Sequence, residues 1–196
     1  MLYVNALNMV ETVAPTVEPL TTAEANTHLH LDGTSNNTYV DLLIEAARQH
    51  VESYTGRALA ERTYRADLFY WDTEVRLIKP PLISVTSIKY FDPDNSQQTW
   101  ASTNYEVDAA GGRILLANAK SIPSSYSRFD AWQVTTIHGY QATSSPLDYR
   151  APIPESLKSA MKLIIGDLFE NRERSTQLRM QDLPTVTRLL EPYRTR

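Results

Sequence analysis

The sequence has no cysteine, which removes disulfides, thiolate metal sites and cysteine nucleophiles together and agrees with a reducing compartment. Glycine is scarce, at six residues in 196, and leaves little material for loops that cradle phosphate. No Walker loop, dinucleotide fingerprint or Gly-x-Ser-x-Gly elbow occurs. No stretch approaches the roughly 18 apolar residues of a membrane span. Met1-Leu-Tyr-Val-Asn5 shows neither a basic start nor an apolar run, so no signal peptide is expected and synthesis in the cytoplasm is.

What remains is the composition of a soluble globular protein, 42% hydrophobic and 21% charged. Its length suits one ordinary domain, or a helical domain carrying a sizeable insertion. The net charge of −4 conceals an asymmetry. Residues 1–58 set Arg48 and Arg57 against seven carboxylates, whereas residues 172–196 set six arginines against Glu173, Asp182 and Glu191. An acidic front and an arginine-rich end suit binding of free nucleic acid poorly; charge alone reads first as a solvated acidic face with a loose basic tail, and second as two ends that attract each other across neighbouring subunits.

Residues 1–19, with Pro15 and Pro19 and no periodicity, read as an extended arm. Thr21-Thr-Ala-Glu24 fits a capping box that opens a short helix through about Leu31, and the Asp32-to-Asn37 turn then leads into a second helix. Over 36–55, Val40, Leu43, Ile44, Ala47, Val51 and Tyr54 form one apolar stripe opposite Asp41, Glu45, Arg48, Gln49 and Glu52, and Gly56 stops the helix. From Leu59 the pattern becomes strands: 63–71, 74–78, 84–91, 105–107, 113–116 and 131–138. Turn clusters at Lys79-Pro-Pro81, Asp92-Pro-Asp-Asn95 and Ala110-Gly-Gly112 predict a mostly antiparallel sheet or small barrel. After a Ser- and Pro-rich linker, Pro152-Ile-Pro-Glu155 opens a long helix with Leu157, Met161, Ile164, Ile165, Leu168 and Phe169 on one face. Leu183-Pro-Thr-Val-Thr-Arg-Leu-Leu190 supplies a last short helix, with proline at its start. The two long stripes are expected to pack on each other.

Enzymatic readings each need a constellation, and none is complete. His28, His30 and Asp32 lie at i, i+2 and i+4, where the two imidazoles of a helix point to different faces, so no metal is expected. His138 reads as a satisfied histidine at a strand end. Asp92 and Asp94 lie in a turn, while Glu106 and Asp108 alternate with Tyr105 and Val107, which are expected to face inward as on a solvated strand. Tyr64, Tyr70, Trp71, Tyr90, Phe91, Trp100, Tyr105 and Trp132 crowd the strand region. Nine Lys/Arg against ten Asp/Glu over residues 59–151 give it no electrostatic funnel for bases, so these rings read as core or protein interface.

The order of these motifs resembles the head-tail connector (adaptor, or head-completion) proteins of tailed bacteriophages. Pro19-Leu-Thr-Thr-Ala-Glu-Ala25 with His28-Leu29 and Asp32, then Val51-Glu-Ser-Tyr-Thr-Gly-Arg57, are similar to that family's first two helices. Pro80 to Asp92, Tyr105-Glu-Val-Asp108, Gly112-Arg-Ile114 and His138-Gly-Tyr140 resemble its β-region. Pro152 to Lys158, Phe169-Glu-Asn-Arg-Glu173 and Leu189-Leu-Glu-Pro-Tyr-Arg194 resemble its closing helix and tail, with Gly166-Asp167 departing from the aromatic or histidine-bearing run expected there.

The resemblance implies an α+β fold: a helical frame of two long helices plus short N- and C-terminal helices, with an inserted, mostly antiparallel β-domain. The expected divisions are an arm (1–19), a helical domain (20–58 and 152–174), the β-insertion (59–151) and a tail with a short helix (175–196). It implies a non-enzymatic virion subunit without cofactor, in a ring of twelve copies below the portal protein. The ring would extend the DNA channel without sequence-specific binding, receive a head-closure or tail-terminator protein, and touch no membrane. A sugar-binding or hydrolytic phage accessory protein using the aromatic sheet is the alternative. Leu183, Arg188, Leu189, Leu190, Tyr193 and Arg194 are the candidate contacts to portal or neighbouring subunit, on a tail expected to be mobile until it binds.

Overall fold

The computed structural model describes residues 2–3, 9–141, 148–171 and 184–195. The chain divides into two compact units, Met1–Thr16 with Glu61–Tyr140 and Val17–Ala60 with Gln141–Arg196. The fold is mixed α and β.

The second unit holds the described α-helices. Helix α1 (Thr22–Leu29) opens with the expected capping box: Thr21 Oγ1 accepts the Glu24 N–H at 3.1 Å while the Glu24 carboxylate accepts the Thr21 N–H at 2.7 Å. Burial pushes the Glu24 carboxyl upward, but the Thr21 donors and the charges of Lys162 and Lys158 outweigh it and hold the group below its usual range. Helix α2 (Asn37–Thr55) ends at Gly56, whose φ of 70° is left-handed and whose N–H bonds the Glu52 carbonyl. Helix α3 (Glu155–Glu170) and helix α4 (Pro184–Leu190) follow, the latter running into a 3-10 turn, Glu191–Tyr193.

Helices α2 and α3 pack on one another, as their stripes require. Val40, Leu43, Ile44, Ala47 and Val51 are buried on one, and Leu157, Ala160, Met161, Ile164 and Ile165 on the other. Tyr39 at the start of α2 meets Phe169 at the end of α3, ring centroids 6.0 Å apart, so the pair is antiparallel. Arg48 departs from expectation: placed by periodicity on the polar face, it is 4% exposed. Glu18, from the segment before α1, covers it at 2.7 Å and Glu52 pairs at 3.1 Å. Burial by itself would lower the Arg48 pKa, and these two carboxylates raise it instead. Glu52 also accepts the Leu59 N–H at 2.8 Å, so one ion-paired carboxylate holds the chain as it leaves α2.

The first unit contains two sheets. Its four-stranded sheet runs in the order β1 (Leu2–Tyr3), β4 (Glu74–Arg76), β8 (Arg113–Leu116), β7 (Tyr105–Asp108). Its five-stranded sheet runs β2 (Met9–Val13), β3 (Arg62–Leu68), β9 (Trp132–His138), β5 (Leu82–Phe91), β6 (Gln97–Trp100). All pairings are antiparallel except β1 with β4. Strands β3 and β9 alternate buried and half-buried residues without a break, as sheet interior strands with one covered face should. Strands β1 and β2 arise inside the segment read as an extended arm, and β6 was not expected at all. Only Met9 is buried in β2 and only Trp100 in β6, so neither edge strand carries an alternating signal. Val107, expected inward, is 41% exposed because β7 is an edge strand paired on one side only.

Burying a carboxylate in the α2–α3 seam should be severe. Val51→Asp or Ile164→Asp is expected to cost about 3 kcal/mol or more in denaturant unfolding. A midpoint equal to the parent's would place these side chains in solvent and overturn the packing.

Candidate interaction surfaces

The residues weighed for metal chemistry do not converge. His28 lies in the last turn of α1, His30 caps it in a left-handed conformation (φ 54°), and both are exposed with Asp32. Among the described residues no three His, Cys, Asp or Glu side chains gather as a metal site would need. His138 is 1% exposed, with Nδ1 2.8 Å from the Lys79 carbonyl oxygen and Nε2 3.0 Å from Thr136 Oγ1. Its ring meets Tyr64 edge-on at 5.5 Å. Burial drives the imidazole pKa down to about 4, so the ring is neutral near pH 7.

Of the four carboxylates weighed as an acid/base pair, Asp94 and Glu106 are exposed, while Asp92 and Asp108 are engaged locally. Asp92 accepts N–H groups of Ser96 and Asp94 and the Gln98 amide across its turn, which holds its pKa below the usual range. Asp108 accepts the Gly111 N–H and pairs with Arg113, with the same effect.

The aromatic residues separate into a core and a rim. Trp132 is fully buried and lies 4.9 Å from Tyr90, 5.1 Å from Trp71 and 5.3 Å from Trp100 between ring centroids, while Trp100 meets Tyr105 at 5.6 Å. This cluster is packing, and base or sugar stacking would need exposed faces. The register places Leu68, Trp132 and Tyr90 in one row across β3, β9 and β5. Beyond that row, at the same end of the sheet, lie Phe69 and Tyr70 (52% and 54% exposed), Tyr126 (44%) and Phe129 (92%). Tyr126 reaches there because its N–H bonds the Phe91 carbonyl. Only Tyr70 of this rim stood among the sequence candidates; Tyr126 and Phe129 sit in a connection without periodicity, and Phe69 lies within the stretch 63–71 read as a strand. Exposed rings gathered at one end are the mark of a protein-contact surface.

The C-terminal segment differs from expectation. Leu183 lies outside the described residues. Helix α4 packs on α3 and α2, with Val186 and Leu190 buried, Leu190 completely. Tyr193 Oη lies 2.9 Å from Ser156 Oγ, and the Tyr193 carbonyl accepts Arg57 Nε at 2.6 Å. Tyr54 Oη donates to Glu191 at 2.9 Å, the Arg194 guanidinium lies over the Tyr54 ring, and the Thr195 N–H bonds the Thr55 carbonyl at 2.8 Å. The expected mobile tail is thus docked on its own unit over residues 184–195, because its apolar side chains have a groove on the same chain to fill. Leu190 is consumed by this packing and Tyr193 largely so, whereas Arg188 and Arg194 remain exposed and Leu189 half-exposed.

No protein-family profile and no curated protein matches the sequence. Solved structures do. A chain from the neck of the empty gene transfer agent (GTA) particle, computed with C6 symmetry, is 23% identical with a TM-score of 0.73. One from the virion of the native particle is 20% identical at 0.74, and one from the neck of the native particle, computed with C12 symmetry, is 21% identical at 0.71. Each match covers 96% of this chain and 95% of the other. The fold is one found in the GTA neck. At 96% of this chain, the match extends into both units described above.

Two outcomes follow. Leu190→Ala should cost about 2–5 kcal/mol in denaturant unfolding of the full chain, since a completely buried leucine leaves a cavity; a change near zero would mean that α4 is not held. His138 binds its proton less readily folded than unfolded, so its contribution is fully present above the unfolded value near 6.5 and is lost as pH falls toward about 4. That is about 3 kcal/mol across the window. His138→Gln should flatten this part of the stability-against-pH curve relative to the parent, and parallel curves would refute the assignment.

Proposed function

We propose that the chain is a structural, non-enzymatic subunit of the neck of a phage-like particle, where it forms a homo-oligomeric ring at the head-tail junction. The observation that carries this reading is the agreement with chains of the GTA neck and virion, 96% of this chain against 95% of theirs at TM-scores of 0.71 to 0.74. The motif order that resembles phage connectors supports it from the sequence side. In the finer form of the proposal the subunit is the adaptor: twelve copies sit below the portal protein, extend the DNA channel and receive the head-closure or tail-terminator protein. The C6 and C12 symmetries of the similar assemblies are compatible with twelve. The DNA passes without sequence-specific binding, in keeping with a net charge of −4. Arg188, Leu189 and Arg194 are the part of the C-terminal segment left to meet a portal or neighbouring subunit.

The sugar-binding or hydrolytic reading has less support, since the tryptophans are buried together and Asp92 and Asp108 are spent on local hydrogen bonds.

Cryo-electron microscopy of particles that incorporate the chain is the test. A ring of density at the base of the head that fits this fold is expected. Particles with complete necks and no copy of the chain in them would overturn the proposal.

A further inference from the structure

Two exposed patches of the helical unit complement each other in charge. On α2, Leu42 is 60% exposed, with Ala46 exposed one turn on and the carboxylates of Asp41 and Glu45 beside them. Most of this leucine's side chain is left uncovered by the described residues. On α4, Arg188 is exposed and Leu189 half-exposed, while Val186 and Leu190 hold the helix down from the other side. No ion pair engages Arg188 among the described residues.

These patches lie at different places on the helical unit. The segment after α4 is bound at the far end of α2, to Tyr54 and Thr55. Leu42 lies twelve residues back along the helix, on the order of 18 Å at the standard rise. Two complementary patches at separate places on one subunit describe a heterologous contact, which repeats from copy to copy and, where its rotation closes, makes a ring. We propose that the Asp41/Leu42/Glu45 face of α2 in one copy receives the Arg188/Leu189 face of α4 in the next. The apolar pair lies at the centre and the charges set the register. The inference rests on the ring reading and deepens it by naming the subunit contact.

The absence of native cysteine makes the test clean. Ala46 and Thr185 are exposed, lie one turn from the key residues and leave them intact. The full chain carrying both Ala46→Cys and Thr185→Cys, oxidised at high protein concentration, is expected to give a ladder of covalent oligomers, whereas each single variant gives none. Adding Arg188→Glu should lower the ladder yield several-fold, and combining it with Glu45→Arg should restore the yield, with circular dichroism confirming the fold of each variant. Single variants that cross-link as well as the double one would mean a symmetric contact and overturn the proposal. So would a double variant that stays monomeric on oxidation. If the unmodified chain nevertheless forms rings by native mass spectrometry, only the contact is wrong and the ring reading stands. If the chain is also missing from particle necks, the neck reading fails as well.

Discussion

Everything in the helical unit depends on the closing of one seam. The stripes of α2 and α3 are each too apolar to face water, and nothing nearer in sequence to α2 offers a surface of matching length. The seam can form only after about a hundred intervening residues have been placed, so it is a contact of high sequence separation whose closure entropy must be offset by burial. Once formed, it creates the surfaces on which α1 and α4 rest. Thr22 Oγ1 and Asp41 join α1 to α2, and Val186 with Leu190 seats α4. The buried Arg48 locks the same structure from behind, because Glu18 and Glu52 belong to the stretches just before and at the end of that helical pair.

The β unit is organised by a different constraint, the row Leu68, Trp132 and Tyr90. Large rings packed at 4.9 to 5.3 Å around Trp132 fix one end of the five-stranded sheet, and the connections beyond that end carry the exposed Phe69, Tyr70, Tyr126 and Phe129. Rigid interior and exposed rim are thus close in sequence, with Phe69 next to Leu68 and Phe129 three residues before Trp132. A contact surface built this way loses little conformational freedom on binding, because its anchors are already ordered by the core beneath them.

Much of this was legible in the residues. The capping box at Thr21 and Glu24, the stop at Gly56, the stripes of α2 and α3, and the alternation in β3 and β9 are strong local signals that tertiary structure did not overrule. The edge strands β2 and β6 were not legible, since they bury one residue each and lack the alternation that reveals a strand, whereas the edge strand β7 was read at 105–107. Arg48 was misplaced because periodicity reports the phase of a side chain and not what another segment lays over it. The C-terminal segment was misjudged for a related reason. Its own apolar content was plain, but the groove that accepts Leu190 is made by distant residues. The likeness to chains of the GTA neck and virion, at 20 to 23% identity, has the same character: the fold persists where little of the sequence does.

Each unit is assembled from two separated stretches, so the backbone passes from one to the other three times, near residues 16, 60 and 140. A junction crossed once is a tether that a single protease cut would sever. With three covalent crossings, one nick at a crossing leaves the remaining two intact. Connection between the units therefore resists single breaks in the chain by topology alone, whatever the strength of any individual bond.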